Sequence, residues 1–319
     1  MNSEATADVC WVISDGRAGI LNQGLGLAEA IGLAVEVKTV HPRWPWTWLP
    51  VTAWPAPFSS LGPDSASFAP PWPRLAIGCG WRSIPFMLAI KRLSRGRTFT
   101  VQLQDPRIAP SNFDLVVPPE HDQLTGPNVI ATLGSPNRIS KQKLDDAAEH
   151  WRERFEDYPS PRIGVLIGGK SKSHRFTEDD AKAFVEQLKP LVDNVSLITT
   201  ASRRTGDIQT VIISRGLASM RSYFWDGVSE NPYFAILALC DAFLVTSDST
   251  NLLTEAAATG KPVHIVAIPG GNAKFDRLYQ SLIDRGIARR FTGKIETWGY
   301  PPLNETARVA AEIRQRLRD

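Results

Sequence analysis

Short apolar runs rich in β-branched residues alternate with longer amphipathic stretches along most of the chain. In the first half these runs are VCWVIS (9–14), LAVEVKTV (33–40), RLAIGCG (74–80), RTFTVQLQ (97–104), FDLVVP (113–118) and NVIATLG (128–134). Helical patterns follow the first run and the third, the latter to about Leu93. This alternation is typical of βαβ units with parallel strands. The pattern therefore predicts a parallel sheet covered by helices.

The same rhythm begins again after a proline-rich break. A charged segment at about 141–157 predicts a helix, which Tyr158-Pro-Ser-Pro161 ends. The second series has strands at 162–169, 195–200, about 221–225, 242–246 and 261–266, with helices near 177–189, near 207–216 and from about 250. We therefore predict an α/β protein with two Rossmann-like, doubly wound domains facing a cleft, at 1–158 and 159–319. The last predicted helix, about 304–317, could pack back on the first domain.

Composition supports this picture and excludes several classes of protein. A chain of 319 residues with 43% hydrophobic content exceeds what one core usually supports, which predicts two domains. The 36 Lys and Arg residues barely outnumber the 33 Asp and Glu, so no nucleic-acid partner is expected. Cys10, Cys79 and Cys240 are far apart, which disfavours a disulfide framework or a thiolate metal site. We expect a cytoplasmic protein.

The segment 41–73 breaks the rhythm, because it holds five of the ten tryptophans amid nine prolines. Its uncharged part is long enough to cross a bilayer, but the prolines would break a spanning helix. Two interpretations stay open. The indoles could cover the first domain, or they could form an interfacial belt that places the protein at the periphery of the inner membrane.

The loop after the first predicted strand is a candidate binding site. Gly16 and Gly19 lie between strand and helix, where backbone N–H groups can approach a ligand, and Asn22 and Gln23 follow them. The spacing is not GxGxxG, which disfavours a dehydrogenase, and a tight turn alone would also explain the glycines. Asp15 would repel a phosphate and suits a hydroxyl contact or a general base.

Two further candidates lie at later strand ends of the first half. Asp105 stands in QLQDPR, where it could pair with Arg107 on the surface or act in the cleft. His121 lies between two carboxylates in a loop, and it is a second candidate base unless it is merely solvated. We take Asp15, Asp105 and His121 as the candidate catalytic residues.

In the second half, glycines and hydroxyls follow the strands. Gly168, Gly169 and Ser171 could cradle a phosphate, although GxxxxGK[ST] is absent. Arg203 follows the next strand, and Lys274 follows the last clear one, where it could reach a pyrophosphate. Surface solvation would also explain both cations.

The strongest signal is TSDSTNLLTEAAATG (246–260), a strand end, a hydroxyl-rich turn and a helix. It supplies Ser247, Asp248 and Ser249 as candidate ligand contacts. Glu255 has no basic residue three or four positions away, so a helical ion pair does not explain it. A carboxylate there could accept both hydroxyls of a ribose. The chain shows no His cluster or HExxH, so we expect no obligatory metal or cofactor.

These motifs give the chain a resemblance to a known family. It resembles the bacterial branch of the mitochondrial fission "elongated mitochondria" family. The stretches that carry the likeness are SDGRAGILNQGLGLAEA, VQLQDPR, FDLVVPPEHD, VLIGGKSKSHRFTEDDA, ITTASRR, NPYFAILALCDAFLVTSDSTNLLTEAAATGKPV and GGNAKFDRLYQSLIDRGIARRF. Together they span nearly the whole chain.

The resemblance implies a GT-B glycosyltransferase-like fold, distantly similar to the lipid-linked muropeptide N-acetylglucosaminyltransferase. In that enzyme the second domain binds a UDP-sugar and the first faces a membrane-borne acceptor. The similarity implies donor contacts at Gly168, Gly169, Ser171, Ser247, Asp248, Ser249 and Glu255. Ile20 stands where that transferase has a histidine, so one of the three candidate bases would have to replace it.

Three functions follow from the resemblance and stay open. The first is a metal-independent glycosyltransferase that moves a sugar from a nucleotide-diphosphate-sugar to an envelope or lipid-linked acceptor. The second is a noncatalytic scaffold that recruits a protein partner at a membrane, as the plant member recruits a dynamin-related protein. The third, a nucleotide-sugar epimerase, is disfavoured because no acid–base pair for it is evident.

Overall fold

The chain folds as two compact units in a computed structural model that describes residues 7–191 and 194–318. The first unit runs to Arg138 and takes in the chain again from Asn304, and the second is Ile139–Leu303. The division thus lies at Arg138, before the predicted boundary at 158. The reason is that the helix at 141–151 packs against the helix at 233–239 of the second unit.

The first unit is built on a five-stranded parallel sheet with strand order β2-β1-β3-β4-β5. Its strands are β1 (Ala7–Ser14), β2 (Ala34–Thr39), β3 (Pro73–Cys79), β4 (Phe99–Leu103) and β5 (Leu115–Val117), and its helices are α1 (Ala18–Ile31), α2 (Ile84–Leu93) and the last helix, α9 (Glu305–Arg316). Helix α9 packs on α1, so the end of the chain completes the first unit.

One predicted strand of the first half does not form. The run 128–134 makes only isolated bridges, Val116 with Val129 and Pro119 with Thr132. Pro118 and Pro119 have no N–H to donate, so the ladder beside β5 is interrupted where these residues stand.

The second unit holds a six-stranded parallel sheet with strand order β11-β10-β9-β6-β7-β8. The strands are β6 (Arg162–Ile167), β7 (Ser196–Ala201), β8 (Ser222–Phe224), β9 (Ala242–Thr246), β10 (Val263–Val266) and β11 (Ala288–Arg290). The helices are α3 (Lys141–Trp151), α4 (Glu178–Leu188), α5 (Asp207–Leu217), α6 (Tyr233–Leu239), α7 (Thr250–Ala257) and α8 (Ala273–Asp284). All five residues of β9 are buried, as expected of a central parallel strand.

Because all strands of each sheet are parallel, their carboxyl ends meet at one edge. In the second unit the loops after β6, β7, β9 and β10 gather there, and in the first unit the loops after β1, β3, β4 and β5 do. Ligands of open parallel sheets bind at such edges. The candidate residues of the sequence therefore fall at two edges, one in each unit.

The tryptophan-rich segment divides into buried and exposed indoles. Trp54 and Trp72 are 6% and 7% exposed and belong to the core of the first unit. Trp46 packs on Trp54 with ring centroids 5.6 Å apart. Trp44 and Trp48, by contrast, are 77% and 82% exposed. Within 7–191 and 194–318, no helix is both long and apolar enough to cross a bilayer.

Candidate functional site

A buried carboxylate ties together three loops at the carboxyl edge of the second sheet. Asp248 follows β9, and its side chain is fully buried. Thr246 Oγ1 accepts a hydrogen bond from the backbone N–H of Gly168 at 2.8 Å and donates one to Asp248 Oδ1 at 2.7 Å. Arg204, after β7, places Nη2 2.8 Å from Asp248 Oδ2. The loops after β6, β7 and β9 therefore share one ion-paired network.

Close packing of this network explains the two glycines after β6. A Cβ at Gly168 would lie 2.1 Å from Asp248 Oδ2. Gly169 has φ +122°, and a Cβ there would lie 2.4 Å from the carbonyl oxygen of Arg204. Only glycine fits at either position, because any side chain would displace the buried carboxylate or the neighbouring loop.

The predicted hydroxyls of this edge hold their own loops in place. Ser171 Oγ accepts from two backbone N–H groups of its own turn, at 3.1 and 3.2 Å. Ser247 Oγ accepts from the N–H of Ile268 at 3.1 Å, and Ser249 Oγ caps α7 by accepting from Leu252 N at 3.4 Å. Ser247 and Ser249 keep their hydroxyl protons to donate, whereas the Ser171 hydroxyl lies 3.4 Å from Nδ1 of His174. The three serines thus shape the edge, and two of them can still donate to an acceptor oxygen of a ligand.

Glu255 lies half-buried on α7, and its partner comes from another helix. Tyr233, the first residue of α6, donates its hydroxyl proton to Glu255 Oε2. Burial raises the pKa of Glu255 to about 7, although the Tyr233 hydrogen bond acts in the opposite direction. Burial and the facing carboxyl also raise the pKa of Tyr233 well above its usual value. At neutral pH this carboxyl is therefore poised between its charged and neutral forms.

The predicted cations Arg203 and Lys274 are not the cation that pairs with Asp248. Arg203 is exposed, whereas its neighbour Arg204 pairs with the buried carboxylate. Lys274 is exposed in the first turn of α8, where its backbone N–H donates to Asn272 Oδ1 at 3.0 Å. The sequence pattern placed both cations in loops at this edge, but which arginine meets a carboxylate depends on the tertiary structure.

Two residues of this edge are absent from the sequence-based predictions. Tyr233 stands in NPYF (231–234), a stretch in which the sequence carries no motif that indicates a site. His174 ends the glycine loop after β6 and is only 4% exposed. Burial lowers the pKa of His174. For His174, the sequence signal was its position at the end of a loop rich in glycine and serine.

In the first unit, Asp15 is bound by two arginines. The carboxylate follows β1 and is 2% exposed. Arg17 Nε donates to both of its oxygens, at 3.0 and 2.9 Å, and Arg82 Nη1 lies 3.6 Å from Oδ2. A role as a base would require Arg17 to move aside.

The glycine loop of the first unit forms as predicted between β1 and α1. Gly16 has φ +80° and Gly19 is exposed, while Asn22 is half-buried. Gln23 is buried, and its Oε1 accepts from Gln104 Nε2 at 3.1 Å. The loop after β1 is thereby tied to the loop after β4.

The other candidate bases follow different strands. Asp105 Oδ1 accepts from the backbone N–H of Arg107 at 2.8 Å, so the predicted pair is a turn contact within the loop. His121, after β5, is 6% exposed, with Nε2 3.9 Å from Asp122 Oδ1. It is buried rather than solvated. Since β3 separates β1 from β4, the ends of these two strands lie about 10 Å apart, so Asp15 and Asp105 do not form a pair.

Neither metal ligation nor thiol chemistry is indicated in the described parts of the chain. No group of three or more His, Cys, Asp or Glu residues is arranged there to hold a metal ion. Cys10, Cys79 and Cys240 are buried free thiols. Burial raises the pKa of Cys79 and of Cys240 to about 12, so these thiols stay protonated.

Solved structures share the two-sheet architecture. UDP-GlcNAc 2-epimerase from Methanocaldococcus jannaschii is 9% identical with a TM-score of 0.56, and the match covers 96% of this chain and 99% of that one. Another structure of that enzyme, in complex with UDP-GlcNAc and UDP, has a TM-score of 0.53. MurG from Acinetobacter baumannii is 13% identical with a TM-score of 0.50, covering 98% and 92%. At these identities the likeness shows the fold, two Rossmann-like domains of the GT-B type.

Sequence comparison gives the family. The mitochondrial fission protein ELM1 of Arabidopsis thaliana is 33% identical over 273 residues, or 77% of this chain. The match spans 64% of that plant protein's length. The family model described as Mitochondrial fission ELM1 matches residues 18–317. The chain therefore belongs to the mitochondrial fission ELM1 family, on a GT-B glycosyltransferase-like fold.

Proposed function

We propose that the protein is a metal-independent glycosyltransferase that uses a nucleotide-diphosphate-sugar as donor and an envelope or lipid-linked molecule as acceptor. The observation that carries this proposal is Glu255, a half-buried carboxyl with a raised pKa that stands on α7 at the carboxyl edge of the second sheet. Perturbed titratable groups at such edges are typical of functional sites.

The donor would bind to the second unit. Glu255 accepts hydrogen bonds from the ribose hydroxyls, as acidic residues do in other nucleotide sites. The loop Gly168–Ser171, the turn Ser247–Ser249 and the cations Arg203 and Lys274 surround the diphosphate. The N-terminus of α7 and these cations stabilise the charge that develops on the leaving diphosphate.

The acceptor would bind to the first unit. A base among Asp15, Asp105 and His121 takes the proton of the acceptor hydroxyl. The acceptor oxygen then bonds to the anomeric carbon as the sugar–phosphate bond breaks, and the nucleoside diphosphate leaves with that bond's electron pair.

The segment 41–73 would bring the first unit to a membrane. Trp44, Trp48 and Leu49 are exposed, at 77%, 82% and 41%. The sequence from 41 to 63 contains no acidic residue, which removes repulsion from anionic lipid. Exposed indoles prefer the membrane–water interface. These features support our proposal that the protein is cytoplasmic and peripheral at the inner membrane.

The experiment is thermal unfolding with UDP, GDP, ADP, CMP and their sugar conjugates. A ligand that binds only the folded state raises the melting temperature by mass action. We expect one nucleotide to stabilise the wild type and the control Glu312→Ala, which changes a partly exposed glutamate of the first unit that pairs with Arg316, but not Glu255→Ala. If no nucleotide raises the melting temperature of the wild type, the proposed donor site is refuted. If Glu255→Ala fails to fold, the carboxyl is structural.

A noncatalytic scaffold is the second candidate. It is favoured by the name of the plant relative, a mitochondrial fission protein, and by the exposed Trp44 and Trp48. A scaffold would be indifferent to Glu255→Ala and sensitive to changes at the two tryptophans. An epimerase would bind the same nucleotide sugar and convert it without any acceptor.

A further inference from the structure

The imidazole of His174 is buried between the loop after β6 and the start of α8. The residue is 4% exposed, and its ring stands edge-on to the ring of Phe275 with centroids 4.7 Å apart. Nδ1 lies 3.4 Å from Ser171 Oγ. Nε2 is buried and has no hydrogen-bond partner among the described residues. Nδ1 therefore has a hydrogen-bond partner, whereas Nε2 has none among the described residues.

The surrounding hydrogen bonds determine which nitrogen carries the proton. Ser171 Oγ already accepts from the backbone N–H groups of Ser173 and His174, so its own proton is directed to Nδ1. Burial lowers the pKa of His174 and keeps the ring neutral, with Asp248 acting against burial and Arg204 acting with it. A neutral imidazole that accepts at Nδ1 is protonated at Nε2. Nε2–H is thus a buried donor without an acceptor.

Gly271, at the beginning of a helix, leaves an open position beside this donor. A Cβ at Gly271 would lie 3.8 Å from Nε2, and apart from the adjacent residues no other atom lies within 4 Å of that position. Gly271 is exposed, and Asn272 caps α8 directly after it, with Oδ1 accepting from two backbone N–H groups. The positive end of the α8 dipole favours an anion here.

The side-chain charges in the first turn of α8 are mixed, because it carries Lys274 and Asp276. Asp248, the carboxylate that acts on His174, is already paired with Arg204 at 2.8 Å. Asn272 Nδ2 donates to Ser173 Oγ at 2.8 Å, which ties the glycine loop to the start of α8. The two loops thus hold the imidazole in one orientation, with Nε2 toward Gly271.

We propose that His174 is a binding residue whose Nε2–H donates a hydrogen bond to a phosphate oxygen of a diphosphate held at the N-terminus of α8. That the diphosphate belongs to a nucleotide sugar rests on the proposed function. The imidazole acts as a neutral donor and carries no proton to the substrate. Because Gly271 carries no side chain, the phosphate oxygen approaches the buried Nε2 from this side.

Calorimetric titration with inorganic pyrophosphate tests the site without any nucleotide. The variants are His174→Gln, whose amide N–H takes the place of Nε2–H, His174→Asn, whose amide reaches only the position of Nδ1, and His174→Phe. We expect wild type and His174→Gln to agree within about threefold, and the other two to bind at least tenfold more weakly. The control His150→Gln changes an exposed histidine and leaves the affinity unchanged.

A second measurement is spectroscopic. In a long-range ¹H–¹⁵N spectrum of the wild type, the histidine whose signals are missing from His174→Phe shows the Nε2–H tautomer, and pyrophosphate shifts its Nε2 resonance. His174→Phe also removes an unsatisfied buried donor, so it unfolds at a temperature no lower than the wild type.

Several results would overturn the inference: no binding of pyrophosphate by the wild type, equal binding by His174→Phe, or retention by Asn with loss by Gln. A purely structural contact with Phe275 would lower the melting temperature of His174→Phe and leave affinity unchanged. If pyrophosphate binds through His174 while no nucleotide sugar binds, the site stands and the proposed function fails.

Discussion

The substitution Glu255→Gln tests whether the Glu255 carboxyl serves ligand binding or stabilises the fold. Gln has the shape of Glu, accepts the same hydrogen bond from Tyr233, and does not ionise. Glu255 has a pKa of about 7 in the folded protein against 4.5 ordinarily. The folded state therefore favours the neutral carboxyl, and the protein loses stability as the pH rises from about 4.5 to 7.

The size of this loss follows from the shift. At 1.36 kcal/mol per pKa unit, a rise from 4.5 to about 7 makes the ionised carboxylate cost about 3 kcal/mol at pH 8. The cost falls to about 1 kcal/mol at pH 5. Glu255→Gln avoids it at both pH values. The variant should thus exceed the wild type by up to about 3 kcal/mol at pH 8, or about 6–12 °C in the melting temperature of a unit of this size.

Differential scanning calorimetry at pH 5 and pH 8 measures both proteins. The gap between Glu255→Gln and wild type should widen with pH, while nucleotide binding is lost in the variant. Tyr233→Phe is the matched partner variant, and it should destabilise the protein more at pH 8 than at pH 5, because it removes the donor to the carboxylate. A variant no more stable than wild type at pH 8 would refute the reasoning, since the carboxylate would then cost nothing.

Three further substitutions test other parts of the structure. Arg204→Met leaves the buried carboxylate of Asp248 without its ion-pair partner, so it should lower the free energy of unfolding in urea by about 1–3 kcal/mol. The control Arg203→Met changes an exposed arginine and should lower it by less than about 0.5 kcal/mol. Equal effects would contradict the ion pair. Gly168→Ala places a Cβ 2.1 Å from a carboxylate oxygen and should lower the melting temperature far more than Gly299→Ala, where no atom lies within 4 Å. Trp48→Ser removes an indole that is 82% exposed, so it should weaken sedimentation with anionic liposomes without changing the melting temperature, and unchanged sedimentation would remove this residue from the membrane surface.

Much of the fold can be predicted from sequence where strands are buried on both faces. The run AFLVT forms β9 at the predicted residues, because five consecutive apolar or β-branched residues end at a hydroxyl-rich turn. The strand β11, Ala288–Arg290, carries two arginines and has no apolar signal. The run 128–134 is apolar but lies beside prolines that cannot donate. The pattern therefore identified the central strands and the edge strands β2, β5 and β8, but it missed the edge strand β11 and predicted a strand at 128–134 that does not form.

The site is predictable only as far as its chemistry is local. Glu255 could be singled out because no cation lies within a helical turn of it, but Tyr233 is 22 residues away in sequence and meets it only through the packing of α6 and α7. Gly168 and Gly169 suggested a phosphate cradle, whereas the structure also requires them for the approach of Asp248 and Arg204. Sequence alone does not distinguish a glycine that makes room for a ligand from one that makes room for its own chain.

The most direct test of the central proposal is transfer itself. Purified protein is incubated with each of a panel of radiolabelled nucleotide sugars and with membrane lipid extract, and both the released nucleoside diphosphate and the label in the lipid fraction are measured. A glycosyltransferase releases one nucleoside diphosphate for each sugar that enters the lipid fraction, and Glu255→Gln abolishes both. Nucleotide binding without transfer of any label would contradict this proposal and leave a scaffold on a glycosyltransferase fold.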